Sequence, residues 1–171
     1  MGIRAQALGL ASSLAVFLPT AGAIEADSPL VMADQVLVIK SERRLYLLHE
    51  GKRYRSYPVA LGRQPVGPKQ REGDEHTPEG RYLIDGRNPA SAYFLSLHVS
   101  YPSVADETRA AKHHWKPGGA IMIHGMPNVP THSTKHYRET DWTDGCIALN
   151  NDDMVEVWLL THNDTPIEID P

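Results

Sequence analysis

From Gln35 onward, apolar residues arrive in short bursts, each closed by glycine, proline or charge. The runs QVLVIK, RLYLLHE and RYRSYPVAL come first. GRYLIDG, AYFLSLHVSY, AIMIHG, GCIALN and TPIEID follow. Each is rich in β-branched or aromatic residues and is strand-length, so a β-dominated domain is predicted. EGK at Glu50–Lys52 marks a turn, which makes the first three runs a hairpin or meander. Two stretches break the pattern. PSVADETRAAKHH reads as a short helix with Ser103 as N-cap and Asp106 three residues on, ended by Pro117–Gly119. NDDMVEVWLLTH reads as a second, capped by Asn150 or Asn151, with Met154, Val155, Trp158 and Leu159 on one face. Residues 62–80, GRQPVGPKQREGDEHTPEG, have no apolar periodicity and are expected to form a long loop, functional or merely solvated. There is no internal repeat.

The N-terminal segment has the features of an export leader. Arg4 supplies a basic start, Ala5–Phe17 is mostly apolar, Pro19 breaks the run, and Ala21-Gly22-Ala23 is a small-x-small cleavage site. Residues 1–23 are therefore read as a signal peptide and 24–34 as a flexible lead-in; a retained membrane anchor is the competing reading. The expected location is outside the cytoplasm, in the periplasm or cell envelope. The chain of 171 residues has a formal charge of −4, and loss of Arg4 with the leader leaves −5. That balance argues against a nucleic-acid partner, because binding phosphates needs a basic face.

A single cysteine, Cys146, lies in TDGCIALN. It cannot form an internal disulfide, so in an oxidising compartment it is either buried or used. IMIHG ends on His124-Gly125, and WTDGC opens the next run with Gly145-Cys146. If the two strands are neighbours, imidazole and thiol can meet, and the thiol becomes a nucleophile by giving up its proton. Gly145 lets the backbone bend closely around a carbonyl, and amides near Cys146 can hold an oxyanion. A buried core cysteine remains the alternative at this point.

The run IMIHG, a polar stretch and then TDGCIALNNDDM resembles the active-site signature of the L,D-transpeptidase (YkuD-type) family. SERRLYLLHEGKRYRSYPVALG is similar to the family's opening strands, and GPKQREGDEHTPEGRYLI to its TPxG stretch. The resemblance extends from about Gln35 to the C-terminus and implies a catalytic domain over residues 35–171. The implied fold is mainly β, a β-sandwich with short peripheral helices. The resemblance also implies Cys146 as the acylated nucleophile, His124 as its general base, and backbone at Gly145 and Cys146 shaping an oxyanion site. Gly125, Asp144, Trp142 and His98 are the candidate substrate-binding residues. Asp144 stands where the commoner pattern has histidine, and Ala148 where it has arginine. This D-G-C form resembles the YafK-like branch, and leaves the reaction's outcome open.

The implied reaction is acyl transfer between peptidoglycan stem peptides, with attack at the L-centre of diaminopimelate, loss of D-Ala and a 3→3 crosslink. Resolution of the thioester by water makes the protein an L,D-carboxypeptidase or an amidase acting on a murein-linked lipoprotein. A non-catalytic cell-wall binding module is the alternative from another class. No metal or organic cofactor is required. His132 and His136 are four apart but lack an evident third ligand. His113 and His114 read as partners of a helix C-terminus, and a hydrogen-bonded strand histidine is the competing reading of His98. Tyr93 and Tyr101 read as packing residues, and Trp142 as the aromatic closest to the nucleophile.

Overall fold

A computed structural model describes residues 1–2 and 30–171. The leader read at residues 1–23 falls outside the described residues after its second position, as does the lead-in up to residue 29. Eight strands form one sheet: β1 (Gln35–Ile39), β2 (Arg44–His49), β3 (Lys52–Pro58), β4 (Gly80–Ser91), β5 (Phe94–Val99), β6 (Met122–His124), β7 (Ile147–Ala148) and β8 (Thr165–Asp170). The helices are α1 (Val104–Lys112), α2 (Thr134–Glu139) and α3 (Asn151–Leu160). The order across the sheet is β3-β2-β1-β8-β4-β5-β6-β7. The pairs β1–β8 and β6–β7 run parallel, and the other pairs antiparallel.

The two outer strands of this order meet. Just past β3, Ala60 exchanges backbone hydrogen bonds of 2.9 and 2.8 Å with Ala148 of β7, and Gly62 bridges to Thr143. The sheet therefore curls on itself around one core, giving the facing strands of the expected mainly β fold. Side chains alternate across each strand, so every second residue enters that core. Val36 and Val38 of β1, Leu45 and Leu47 of β2, and Ile167 and Ile169 of β8 are buried this way. Full burial of each such side chain contributes roughly 1.5–3 kcal/mol. The β2–β3 hairpin turns at Glu50 and Gly51, with φ of 51° and 72°. Positive φ at both central residues matches the right-handed twist of the flanking strands.

Both expected helices form. Ser103 and Asp106 make a reciprocal capping box at α1, and the Asn150 side chain accepts from the Asp153 amide at 2.9 Å to start α3. The buried face of α3 differs from the sequence reading. Met154, Val157 and Leu160 are buried, while Val155 and Leu159 are exposed. The helix packs on the sheet through every third residue, which turns Val155 and Leu159 outward. Arg87 closes its far end by donating to the Trp158 and Thr161 carbonyls. The third helix, α2, has only six residues and lies in a stretch read as polar connection.

Residues 62–79 hold no helix or named strand, as expected, but the loop is anchored from within. Lys40, 1% exposed, donates to the Gly67 and Thr77 carbonyls and to Glu79 at 2.6, 3.0 and 2.8 Å. Lys69, 3% exposed, donates to Asp74 at 2.8 Å and to the Arg71 carbonyl at 3.1 Å. A buried ammonium is tolerated only when it is paired and hydrogen-bonded, and both lysines are.

Candidate active site

The β6–β7 register decides where the histidine and the cysteine go. Ile123 lies opposite Ile147, and both enter the core. Alternation then puts His124, Met122, Cys146 and Ala148 on the other face. Cys146 is one residue before β7 and level with Met122, so His124 is its diagonal neighbour on the adjacent strand. A cavity of about 810 Å3 opens on this face, lined by Cys146, His124, Asp144, Trp142, Tyr93 and Arg63 among others.

His124 is buried and fixed in one tautomer. Its Nδ1 lies 2.7 Å from the Gly125 carbonyl oxygen. A carbonyl only accepts, so Nδ1 carries the proton and Nε2 keeps a free lone pair. Burial pushes the imidazole below its ordinary value, against the pull of the Gly125 carbonyl. The turn after it is tightly locked. The Gly125 amide donates toward the Tyr93 and Leu95 carbonyls, and Asn151 at the start of α3 accepts from the Met126 amide at 2.8 Å. A Cβ at Gly125 would lie 2.7 Å from Asn151 Oδ1 and 3.0 Å from the Phe94 Cβ.

The nucleophile loop is held by Thr143. Its hydroxyl donates to the Cys146 carbonyl at 2.7 Å and accepts from the Gly145 amide at 3.1 Å. The Gly145 amide is therefore engaged by Thr143, and Gly145 shapes the turn before the nucleophile candidate with a φ of 127°. Cys146 is partly buried, with Sγ 3.7 Å from the Ala120 carbonyl oxygen. Burial pushes the thiol up, as does Asp144, while the Met122 amide and Lys69 pull it down. Burial thus favours the neutral form of both groups in the free protein.

Asp144 is exposed and pairs with Arg63, whose same nitrogen reaches Glu75 at 2.9 Å. One guanidinium between two carboxylates leaves the cluster with a net charge of −1. Trp142 forms part of an aromatic wall: Tyr93 lies 4.6 Å from the His124 ring and 6.2 Å from Trp142, and Trp142 lies 5.6 Å from His124. Tyr93 thus belongs to the site, although the sequence reads as packing there. Tyr101 is in the core. His98 does not line the cavity; it faces Asp85 on the neighbouring strand. His132 and His136 do line it, with ring centroids 4.3 Å apart. No group of three metal-ligating side chains occurs among the described residues. Tyr137 and Trp142 line a second cavity of about 600 Å3 as well, and form the partition between the two.

Sequence reasoning missed Thr143, Arg63, Tyr93, Lys69 and Asn151. Thr143 carried a usable signal: a hydroxyl two residues before a glycine turn commonly bonds local backbone. Arg63 and Lys69 carried none, because only the long loop's path brings them to the site.

A parallel strand pair on a curled sheet brings a buried histidine and a glycine-preceded cysteine to one cavity. Residues 33–169 match the L,D-transpeptidase catalytic domain family, YkuD, and the chain belongs to that family. YafK of Escherichia coli (strain K12), named as a candidate L,D-transpeptidase, is 32% identical over 96 residues, covering 53% of this chain and 37% of YafK. The helical cell shape determining protein Pgp2 from Campylobacter jejuni superposes with a TM-score of 0.61 at 26% identity, covering 79% of this chain and 46% of Pgp2. The L,D-transpeptidase from Xylanimonas cellulosilytica DSM 15894, at a TM-score of 0.54 and 14% identity, shares the fold; the match covers 83% of this chain and 62% of that one. The chain spans less than half the length of YafK and Pgp2.

Proposed function

We propose that this protein is an exported peptidoglycan L,D-transpeptidase that forms a thioester at Cys146 on a tetrapeptide stem and passes the acyl group to an amine, giving a 3→3 crosslink. The observation that supports the reading is that Cys146 lines one cavity with His124, whose Nδ1 is committed to the Gly125 carbonyl. Nε2 takes the thiol proton as Sγ attacks the carbonyl at the L-centre of diaminopimelate. The imidazolium then returns that proton to the departing D-Ala amine, and the thioester remains. An acceptor amine attacks the thioester, His124 takes its proton, and the thiol is restored. Amides at the nucleophile loop other than that of Gly145 receive the oxyanion. Asp144, in a cluster with residual negative charge, orients the ammonium group of a stem peptide. Similarity to Pgp2, a helical cell shape determining protein, supports a place in determining cell shape, and the predicted leader at residues 1–23 supports the envelope location.

The test is incubation of the mature protein with purified tetrapeptide muropeptides, with products read by mass. Dimers with 3→3 links are expected, and Cys146→Ala makes none. Asp144→Asn is expected to raise tripeptide relative to dimer. A wild type that yields only tripeptide is a hydrolase, and one that yields no product is not this enzyme.

A further inference from the structure

At one point behind the nucleophile, three stretches of backbone meet with no room for a methyl group. A Cβ at Gly62 would lie 2.1 Å from the Glu75 carbonyl oxygen and 3.1 Å from the Gly145 Cα. A Cβ at Gly145 would lie 2.7 Å from the His76 carbonyl oxygen. The position of the 74–76 backbone therefore dictates where Gly145 sits, and Cys146 follows directly. Asp74 holds that backbone. Its carboxylate accepts from the Gln70, Arg71 and His76 amides at 2.7, 2.9 and 3.2 Å, and from the Lys69 ammonium at 2.8 Å. Both side chains are almost completely enclosed, with exposures of 4% and 8%. Burying two charges is costly, and a loop can be shaped without them. What this pair adds is a turn with one geometry, pressed against Gly145.

We propose that the buried Lys69–Asp74 pair is a positioning device for the nucleophile: it fixes the 69–76 turn, whose backbone aims Cys146 into the cavity. Neither Lys69 nor Asp74 lines the cavity. The positive charge of Lys69 also favours the charged form of the sulfur. The inference deepens the acyl-transfer reading, which supplies the reason an aimed thiol matters, but its test needs no substrate.

The experiment is alkylation of Cys146 by iodoacetamide as a function of pH in wild type, Lys69→Met, Asp74→Asn and the double variant, with melting curves beside it. Arg87→Leu, which uncaps α3 away from the site, is the control for loss of stability alone. Either single variant is expected to slow alkylation at neutral pH roughly tenfold through lost aim, and Lys69→Met, which removes the positive charge, is also expected to move the midpoint up by about one pH unit. The double variant is expected to be no worse than the poorer single, because the two act as one unit. Arg87→Leu is expected to melt earlier with an unchanged alkylation profile. Folded single variants that match wild type in rate and midpoint overturn the proposal, as does a control that shifts the profile as far. If Lys69→Met does not fold, Asp74→Asn, which keeps an oxygen for the Gln70 and Arg71 amides, decides alone by its alkylation rate. Slow alkylation in the variants of a protein that processes no muropeptide leaves the positioning intact and removes only the proposed reaction.

Discussion

At the residue scale, the site combines two groups that burial moves in opposite directions. The imidazole of His124 is pushed down and the thiol of Cys146 is pushed up. Each is uncharged around neutral pH, and neither alone makes a nucleophile there. Catalysis through His124 then needs the neutral imidazole, which persists to lower pH than in a free histidine. The acid limb of the rate profile is therefore expected below the ordinary imidazole value of about 6.5. Initial rates of muropeptide turnover between pH 4 and 8 check this, and a half-maximal rate above that value contradicts it. The two residues proposed to react stood out in the sequence because each lies beside a glycine at one end of an apolar run. The Thr143 hydroxyl and the Tyr93 ring were not, since hydrogen bonding and aromatic packing around a site depend on which segments the fold brings together.

At the element scale, the sequence shows strands better than it shows their ends. The apolar runs became β1, β2, β5 and β8 nearly as read, because alternation and turn residues act locally. β7 kept only two residues of GCIALN, since the curled edge gives that segment its partners for a short distance only. α2 escaped notice because six residues offer too little periodicity to register. It nonetheless carries Tyr137 between the two cavities, where its hydroxyl accepts from the Thr131 and His132 amides at 3.0 and 3.3 Å. The junction of β6 with α3 is more constrained. The turn at Gly125 has Asn151 against one side and Phe94 against the other. Gly125→Ala is expected to force these apart, costing about 1–3 kcal/mol as overpacking does. It is also expected to displace the carbonyl that fixes His124. A urea midpoint measured beside iodoacetamide reactivity tests both parts. A variant as stable as wild type would show that the turn yields without strain.

At the scale of the whole molecule, the buried groups that serve the site also set the pH range in which the chain stays folded. His124 has a folded value below its unfolded one, so the unfolded chain binds the extra proton first as pH falls. Stability is lost from about pH 6.5 downward until the folded imidazole also protonates. Asp74 acts lower. Burial pushes its carboxyl up, but Lys69 and the Arg71, Gln70 and His76 amides outweigh that and hold it at about 2. Its contribution is complete above the unfolded value near 4 and is lost as pH falls toward 2. Asp153, pushed up chiefly by burial, acts against it over part of that range, because its protonation favours the folded state. On the alkaline side Cys146 ionises first in the unfolded chain, so stability falls from about pH 8.5 upward. The expected profile is a plateau between roughly 6.5 and 8.5 with shoulders on both sides. Urea midpoints across pH 2.5–10 measure it, and three variants assign it. His124→Asn is expected to flatten the shoulder below 6.5, Asp74→Asn the fall below 4, and Cys146→Ala the first part of the alkaline decline. Tyr57, Tyr82 and Tyr101 are pushed above the usual phenol range, and their effect begins where unfolded phenols ionise, at about pH 10, beyond the thiol's onset. A Cys146→Ala profile that still declines between 8.5 and 10 as wild type does would mean that the thiol is not held in its neutral form by the fold. Alkylation of Cys146 would then have to show a midpoint at or below that of a free cysteine.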